Sequence, residues 1–154
     1  HSDLWRPSNI CNVTGSKWFI SFINNHTRIC WVYWLKEKSE TKEIFKNFNA
    51  MINTQSQTKI QNFHIDNGIE YFNSILGPYL HEHGIIHQSS CIATPQQNGT
   101  SERKNHHLLE VAQSLMSTTN VLKYFWGEAV LNALYLINRM PTRVYYNTKL
   151  PLKS

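Results

Sequence analysis

Lys-Trp-Phe-Ile-Ser-Phe-Ile at residues 17–23, Asn-Asn-His-Thr at 24–27 and Arg-Ile-Cys-Trp-Val-Tyr-Trp-Leu at 28–35 form the stretch on which the fold turns. Aromatic and β-branched residues suit a pleated, half-buried surface, and the polar tetrapeptide supplies a turn, so the stretch predicts a β-hairpin. An extended segment, His1 to Trp5, precedes it and stops at Pro7. Downstream, Ile44, Phe45, Phe48, Met51 and Ile52 recur at helical spacing, with Ser39 as the expected N-cap. A strand follows over 60–65, and then a helix carrying Tyr71, Phe72, Ile75 and Leu76. Gly77-Pro78 is expected to break or kink that helix before Tyr79 and Leu80. The next strand covers 85–88, and residues 89–101 read as a mobile polar loop. A helix is expected from Glu102 to about Thr118, with Leu108, Val111, Ala112 and Leu115 as its apolar stripe. The last helix runs from about Leu122 to Met140, turns Trp126, Val130, Ala133, Leu134 and Ile137 inward, and is stopped by Pro141. Short strands alternating with helices after an initial meander predict an α/β fold, a mixed sheet with helices on both faces.

At 154 residues and 41% hydrophobic content the chain is the size of one domain with a real core. Its net charge of +5, with eight further histidines, suits a polyanionic partner. Cys11, Cys30 and Cys91 are odd in number and far apart, which fits neither a disulfide framework nor a zinc knuckle and points to a reduced intracellular compartment. No run of eighteen apolar residues and no basic-then-apolar leader occurs, so no membrane partner is expected. The chain reads as a piece excised from something longer, beginning inside a strand.

Only two aspartates occur, Asp3 and Asp66, and 35 residues separate the second from Glu102. Two strand ends and a helix start can thus deliver three carboxylates, which suffice to hold a pair of hard divalent cations for phosphodiester chemistry. Taken singly, each has a routine structural role as turn former, cap or helix-dipole partner. The neighbours of Glu102 strengthen the functional reading, because Arg103, Lys104, His106 and His107 put cations on the same helix, where phosphates would attract them. His64, His81, His83 and His87 are scattered and are assigned no metal. Trp18, Trp31 and Trp34 read as core rings rather than base-stacking platforms.

Asp66-Asn67-Gly68-Ile69-Glu70-Tyr71-Phe72, Gly84-Ile85-Ile86-His87-Gln88 and the run from Thr94 through Gln97-Asn98-Gly99 to Glu102-Arg103-Lys104-Asn105 carry a resemblance. With His1-Ser2-Asp3-Leu4-Trp5, Tyr124-Phe125-Trp126-Gly127-Glu128-Ala129 and Leu136-Ile137-Asn138-Arg139-Met140-Pro141, they cover nearly the whole chain. Together they resemble the integrase catalytic core of Ty1/copia-type LTR retrotransposons. The resemblance implies a ribonuclease H-like fold with a five-stranded mixed sheet, and a D,D-35-E triad at Asp3, Asp66 and Glu102. Two Mg²⁺ or Mn²⁺ ions would serve trimming of element DNA ends and joining of the 3′-hydroxyls to target DNA. It further implies a flexible active-site loop at Gln97, Asn98 and Gly99, with Arg103, Lys104 and Asn105 near the bound DNA end. His106, among the same helix cations, completes the expected DNA-facing set. The implied partners are double-stranded DNA, both element ends and target, and further copies in a homodimer or higher oligomer. Action on host DNA would be nuclear, and otherwise in cytoplasmic particles.

On this reading the core spans 1–140 with a truncated N-terminal edge, and 141–154 extend it toward a linker. A zinc-binding His/Cys module before the core and a DNA-binding tail after it would belong to the full protein. Departures from the family pattern are Arg6 in Trp5-Arg6-Pro7, Asn24-Asn25 where acidic residues are common, Gly77-Pro78, and Gln113 where arginine is frequent. They bear on folding and DNA affinity, since all three carboxylates remain. A catalytically decayed DNA-binding or assembly module and a hydrolase of RNA–DNA hybrids are the alternative readings.

Overall fold

In a computed structural model the chain is described over residues 1–65, 69–89, 95–120 and 122–140, by backbone alone at 69–73, 89 and 95–101. Its strands are β1 (Ser2–Trp5), β2 (Trp18–Ile23), β3 (Cys30–Leu35), β4 (Asn62–Ile65) and β5 (Ile86–Ser89). Its helices are α1 (Thr41–Ser56), α2 (Ile69–Glu82), α3 (Pro95–Thr119) and α4 (Trp126–Arg139), with single 3₁₀ turns at Lys38–Glu40 and Lys123–Phe125. The strands form one sheet in the order β3-β2-β1-β4-β5. The predicted hairpin is there, with Ile23 opposite Cys30 and Trp18 opposite Leu35, and β1 runs antiparallel to β2 and parallel to β4. Asn24 closes the hairpin as an acidic residue would, its Oδ1 accepting the N–H of His26 at 2.8 Å and of Thr27 at 3.1 Å.

Strand alternation divides the sheet's side chains between two cores. Ile20, Phe22, Leu35, Phe63 and Ile65 meet Phe45 and Phe48 of α1 and Leu76 and Leu80 of α2. Within that core the Phe22 and Phe48 rings stack at 4.2 Å. On the other face Phe19, with Trp5, Val32 and Trp34 around it, meets Leu108 and Ala112 of α3 and Trp126, Val130, Ala133 and Ile137 of α4. Helices therefore cover both faces, as expected.

Three local expectations need correction. α3 begins at Pro95, so the stretch expected to be loop through Ser101 is helical from that point, and Glu102 lies two turns inside the helix. Proline is preorganised for a first helical position because its missing N–H would have had no intrahelical partner there. α2 runs unbroken through Gly77-Pro78: Pro78 is exposed while Leu76 and Leu80 on either side are buried, so packing carries the helix past the lost hydrogen bond. Ser39 is not the cap of α1. It sits inside the 3₁₀ turn, where Glu37 and Glu40 form a capping box and Ser39 bonds to Glu37.

α4 is fastened to the sheet by polar contacts as well as by its apolar face. Trp126 Nε1 donates to the carbonyl of Ile10 at 2.8 Å, which ties the long β1–β2 connection to the start of the helix. Gly127 permits close approach there, since a Cβ at that position would lie 2.8 Å from Asn12 Nδ2. Asn12 in turn organises its loop, accepting from the backbone of Thr14 and Ser16.

At the far end Asn138 grips the sheet edge. Ile23 exchanges both its backbone hydrogen bonds with His1, the residue before β1. Its β3 partner Cys30 therefore turns its own N–H and C=O outward, to an edge with no further strand among the described residues. The Asn138 amide meets both, accepting from Cys30 N at 3.0 Å and donating to Cys30 O at 2.8 Å. One side chain thus stands in for a sixth strand and blunts the edge locally. Asn138→Ala is expected to lower stability by about 1–3 kcal/mol in urea melts, and an unchanged midpoint would show that water satisfies the edge equally well.

Candidate metal and nucleic-acid site

Asp3 occupies the second position of the central strand and is 2% exposed. A carboxylate so placed needs hydrogen-bond donors to remain charged. Asn105 of α3, itself fully buried, supplies one, its Nδ2 donating to Asp3 Oδ2 at 3.3 Å. Ser21 lies opposite Asp3 on β2, and its hydroxyl donates to Asn105 Oδ1 at 2.9 Å. The same hydroxyl stands 3.5 Å from the main-chain oxygen of Asp3. Strand pairing and helix docking thus converge on the carboxylate through one amide. Ser21 was not singled out from sequence, although a lone hydroxyl in the apolar run Trp18–Ile23 is the signal that marks it.

Glu102 lies three residues before Asn105 on α3, about 4.5 Å along the helix axis, and its side chain is exposed. The helix anchored to Asp3 is therefore the one that bears Glu102. Asp66 lies outside the described residues, but it follows Ile65, the last residue of β4, which pairs with Ser2 beside Asp3. Among the described residues no three His, Cys, Asp or Glu side chains converge, and that set lacks Asp66.

The expected DNA-facing residues fall into separate environments. Arg103 is exposed, and so is His106, whose ring stands edge-on to Trp5 at 5.9 Å. Asn105 faces the sheet instead of solvent, because both ends of its amide are engaged by Ser21 and Asp3. Gln97, Asn98 and Gly99 belong to the first turns of α3, where only the backbone is described. Lys104 is half-buried, and burial holds its pKa below the ordinary lysine value. Nearby Cys30 opposes that shift and Arg28 adds to it.

Other histidines make contacts of their own. His64 is buried with its ring edge-on to His1 at 4.7 Å, and His83 stacks on Tyr79. Burial, and then the charge of His64, lowers the pKa of His87. A cleft of about 520 Å³ opens between Asn24, Trp31, Lys59, Asn62 and His64, and neither Asp3 nor Glu102 lines it. No described helix is long and apolar enough to cross a membrane.

No family model matches the chain. It is 38% identical over 142 residues, 92% of its length, to the retrovirus-related Pol polyprotein from transposon TNT 1-94 of Nicotiana tabacum, and 39% identical over the same length to that from transposon RE2 of Arabidopsis thaliana. This chain is homologous to a segment of Ty1/copia-type Pol polyproteins and shares the fold of a solved retroviral intasome chain. It spans 11% and 10% of those two relatives. The fold rests on a solved structure, the simian T-cell lymphotropic virus intasome in complex with PP2A regulatory subunit B56 gamma. There the likeness has a TM-score of 0.66 at 16% identity and covers 97% of this chain and 55% of that one.

Cys30, at the start of β3, is a buried thiol. Burial pushes the pKa of Cys30 up to about 12 from 9.0, with Lys104 opposing. The folded state therefore binds this proton more tightly than the unfolded chain. The resulting stability is fully present below pH 9.0 and is lost as the pH rises toward 12. Urea midpoints at about pH 8 and about pH 10.5 should accordingly fall further for the parent than for Cys30→Ala. Equal falls would place the Cys30 thiol in a solvated setting.

Proposed function

We propose that this core is a metal-dependent polynucleotidyl transferase that processes the 3′ ends of retrotransposon DNA and joins them to target DNA, with Asp3, Asp66 and Glu102 as its carboxylates. The observation that carries the reading is the buried Asp3 carboxylate, tied through Asn105 to the helix that bears Glu102. A carboxylate held in the sheet by a neutral amide, with another on the adjoining helix, fits a hard divalent cation, which takes oxygen ligands. Two Mg²⁺ or Mn²⁺ ions bound there would activate the attacking oxygen and stabilise the leaving one. Asp3, Asp66 and Glu102 would hold these ions.

The chain's own residues orient the substrate. A DNA 3′-hydroxyl attacks a target phosphorus, a new P–O bond forms, the target's P–O3′ bond breaks, and the departing 3′ oxygen takes up a proton. Arg103, Lys104 and His106, with Gln97, Asn98 and Gly99 at the helix start, would hold the phosphate backbone, which positions DNA without reading its sequence. The homology to retrotransposon Pol polyproteins and the intasome fold support this reading. The acting form would be an oligomer on double-stranded DNA, in the nucleus when host DNA is the target and in cytoplasmic particles otherwise.

The test is the reversal of strand joining on a branched duplex, a reaction that makes fewer demands on the flanking modules. The parent chain should resolve the branch with Mg²⁺ or Mn²⁺ and not without. Asp3→Asn, Asp66→Asn and Glu102→Gln should each abolish this while melting as the parent does. Binding of the duplex with no metal-dependent turnover would make the chain a decayed assembly module. Preferential cleavage of an RNA–DNA hybrid would make it a hydrolase.

A further inference from the structure

We infer that Ser21 is a positioning residue for the site, setting the orientation of the Asn105 amide and, through it, of the Asp3 carboxylate; this rests on the function proposed above. All three groups are buried, Ser21 and Asn105 fully, so their hydrogen bonds are not interchangeable with water. An asparagine amide presents two donors on nitrogen and an acceptor on oxygen. Were it turned around, its carbonyl would face a carboxylate oxygen, which repels it. The orientation with Nδ2 toward Asp3 leaves Oδ1 facing Ser21, and since an amide oxygen only accepts, the hydroxyl 2.9 Å away must donate to it.

The proton arrangement therefore has a single direction, from the Ser21 hydroxyl to Asn105 Oδ1 and from Asn105 Nδ2 to Asp3 Oδ2. Each bond polarises the next toward the anion. Oδ2 of Asp3 is thereby held on the helix side in one rotamer, before any cation arrives. β2 contributes to the site without touching a ligand, which explains why a hydroxyl interrupts the apolar run of that strand. Alanine at 21 keeps the strand and the apolar packing, but leaves Asn105 Oδ1 buried with its hydroxyl donor gone. The amide then keeps only one of the two contacts that fix it, and the donor it offers Asp3 is held less firmly.

The experiment uses the two-aspartate composition of the chain, since ¹³Cγ-labelled aspartate gives only two carboxylate signals and Asp66→Asn leaves that of Asp3. In the metal-free parent the side-chain amide protons of Asn105 should exchange far more slowly than those of exposed Asn9 and Asn53. Equally fast exchange would overturn the inference, whatever happens to any variant. With Mg²⁺ added alone, Ser21→Ala should raise the concentration that half-saturates the Asp3 signal about ten-fold, and Ser21→Thr, which restores a hydroxyl, should bring it back toward the parent. Half-saturation by Ser21→Ala at the parent concentration, with parent-like melting, would also overturn it. Failure of the parent to take up Mg²⁺ or Mn²⁺ would instead sink the proposed function, and the exchange measurement would still judge the clamp.

Discussion

A carboxylate in the middle of a sheet costs several kcal/mol unless donors meet it, and Asp3 sits 2% exposed on the central strand. Much of the surrounding design follows from keeping it there. β1 is short, with β2 on one side and β4 on the other. One donor comes from α3, where Asn105 lies on the helix whose Leu108 and Ala112 are buried in one core with Phe19. Apolar packing sets the height and rotation of the helix, and the polar contact depends on that setting.

The same helix separates anchoring from exposure. Asn105, Leu108 and Ala112 form its buried line, while Glu102, Arg103, His106 and His107 remain open to solvent. A helix is suited to this division because residues three and four apart share a face. The buried line holds the helix against the sheet, and the exposed line presents one carboxylate, an arginine and two histidines on the helix that reaches Asp3.

α4 shows how tertiary contacts make up for a small sheet. Trp126 holds the β1–β2 connection, Gly127 lets Asn12 come close, and Asn138 caps the backbone of the edge strand. The clamp on Cys30 also places that thiol where burial suppresses its ionisation, close to Lys104 and Arg28. Basic groups from a hairpin turn and from α3 therefore approach the same end of the molecule.

The hairpin, the helices carrying Phe45, Leu108 and Trp126, and the mixed character of the sheet were legible because strand and helix patterns repeat over distances of a few residues. Asp3 and Glu102 were legible as chemical types, and the motif run around them told their family. Local pattern misjudged the start of α3 and the fate of Pro78, since Pro95 serves a first turn and buried Leu76 and Leu80 carry α2 through its proline. The resemblance put Asn105 near the bound DNA end, and the structure has its amide buried between Ser21 and Asp3. What sequence alone determined was the set of elements and the acidic and basic residues they carry, because these depend on neighbours in the chain. Only the tertiary structure decided that Ser21, Asn105 and Asp3, up to 102 residues apart, share one hydrogen-bonded chain. Such a contact depends on how β2 and α3 pack across the sheet, and that is a property of the whole fold.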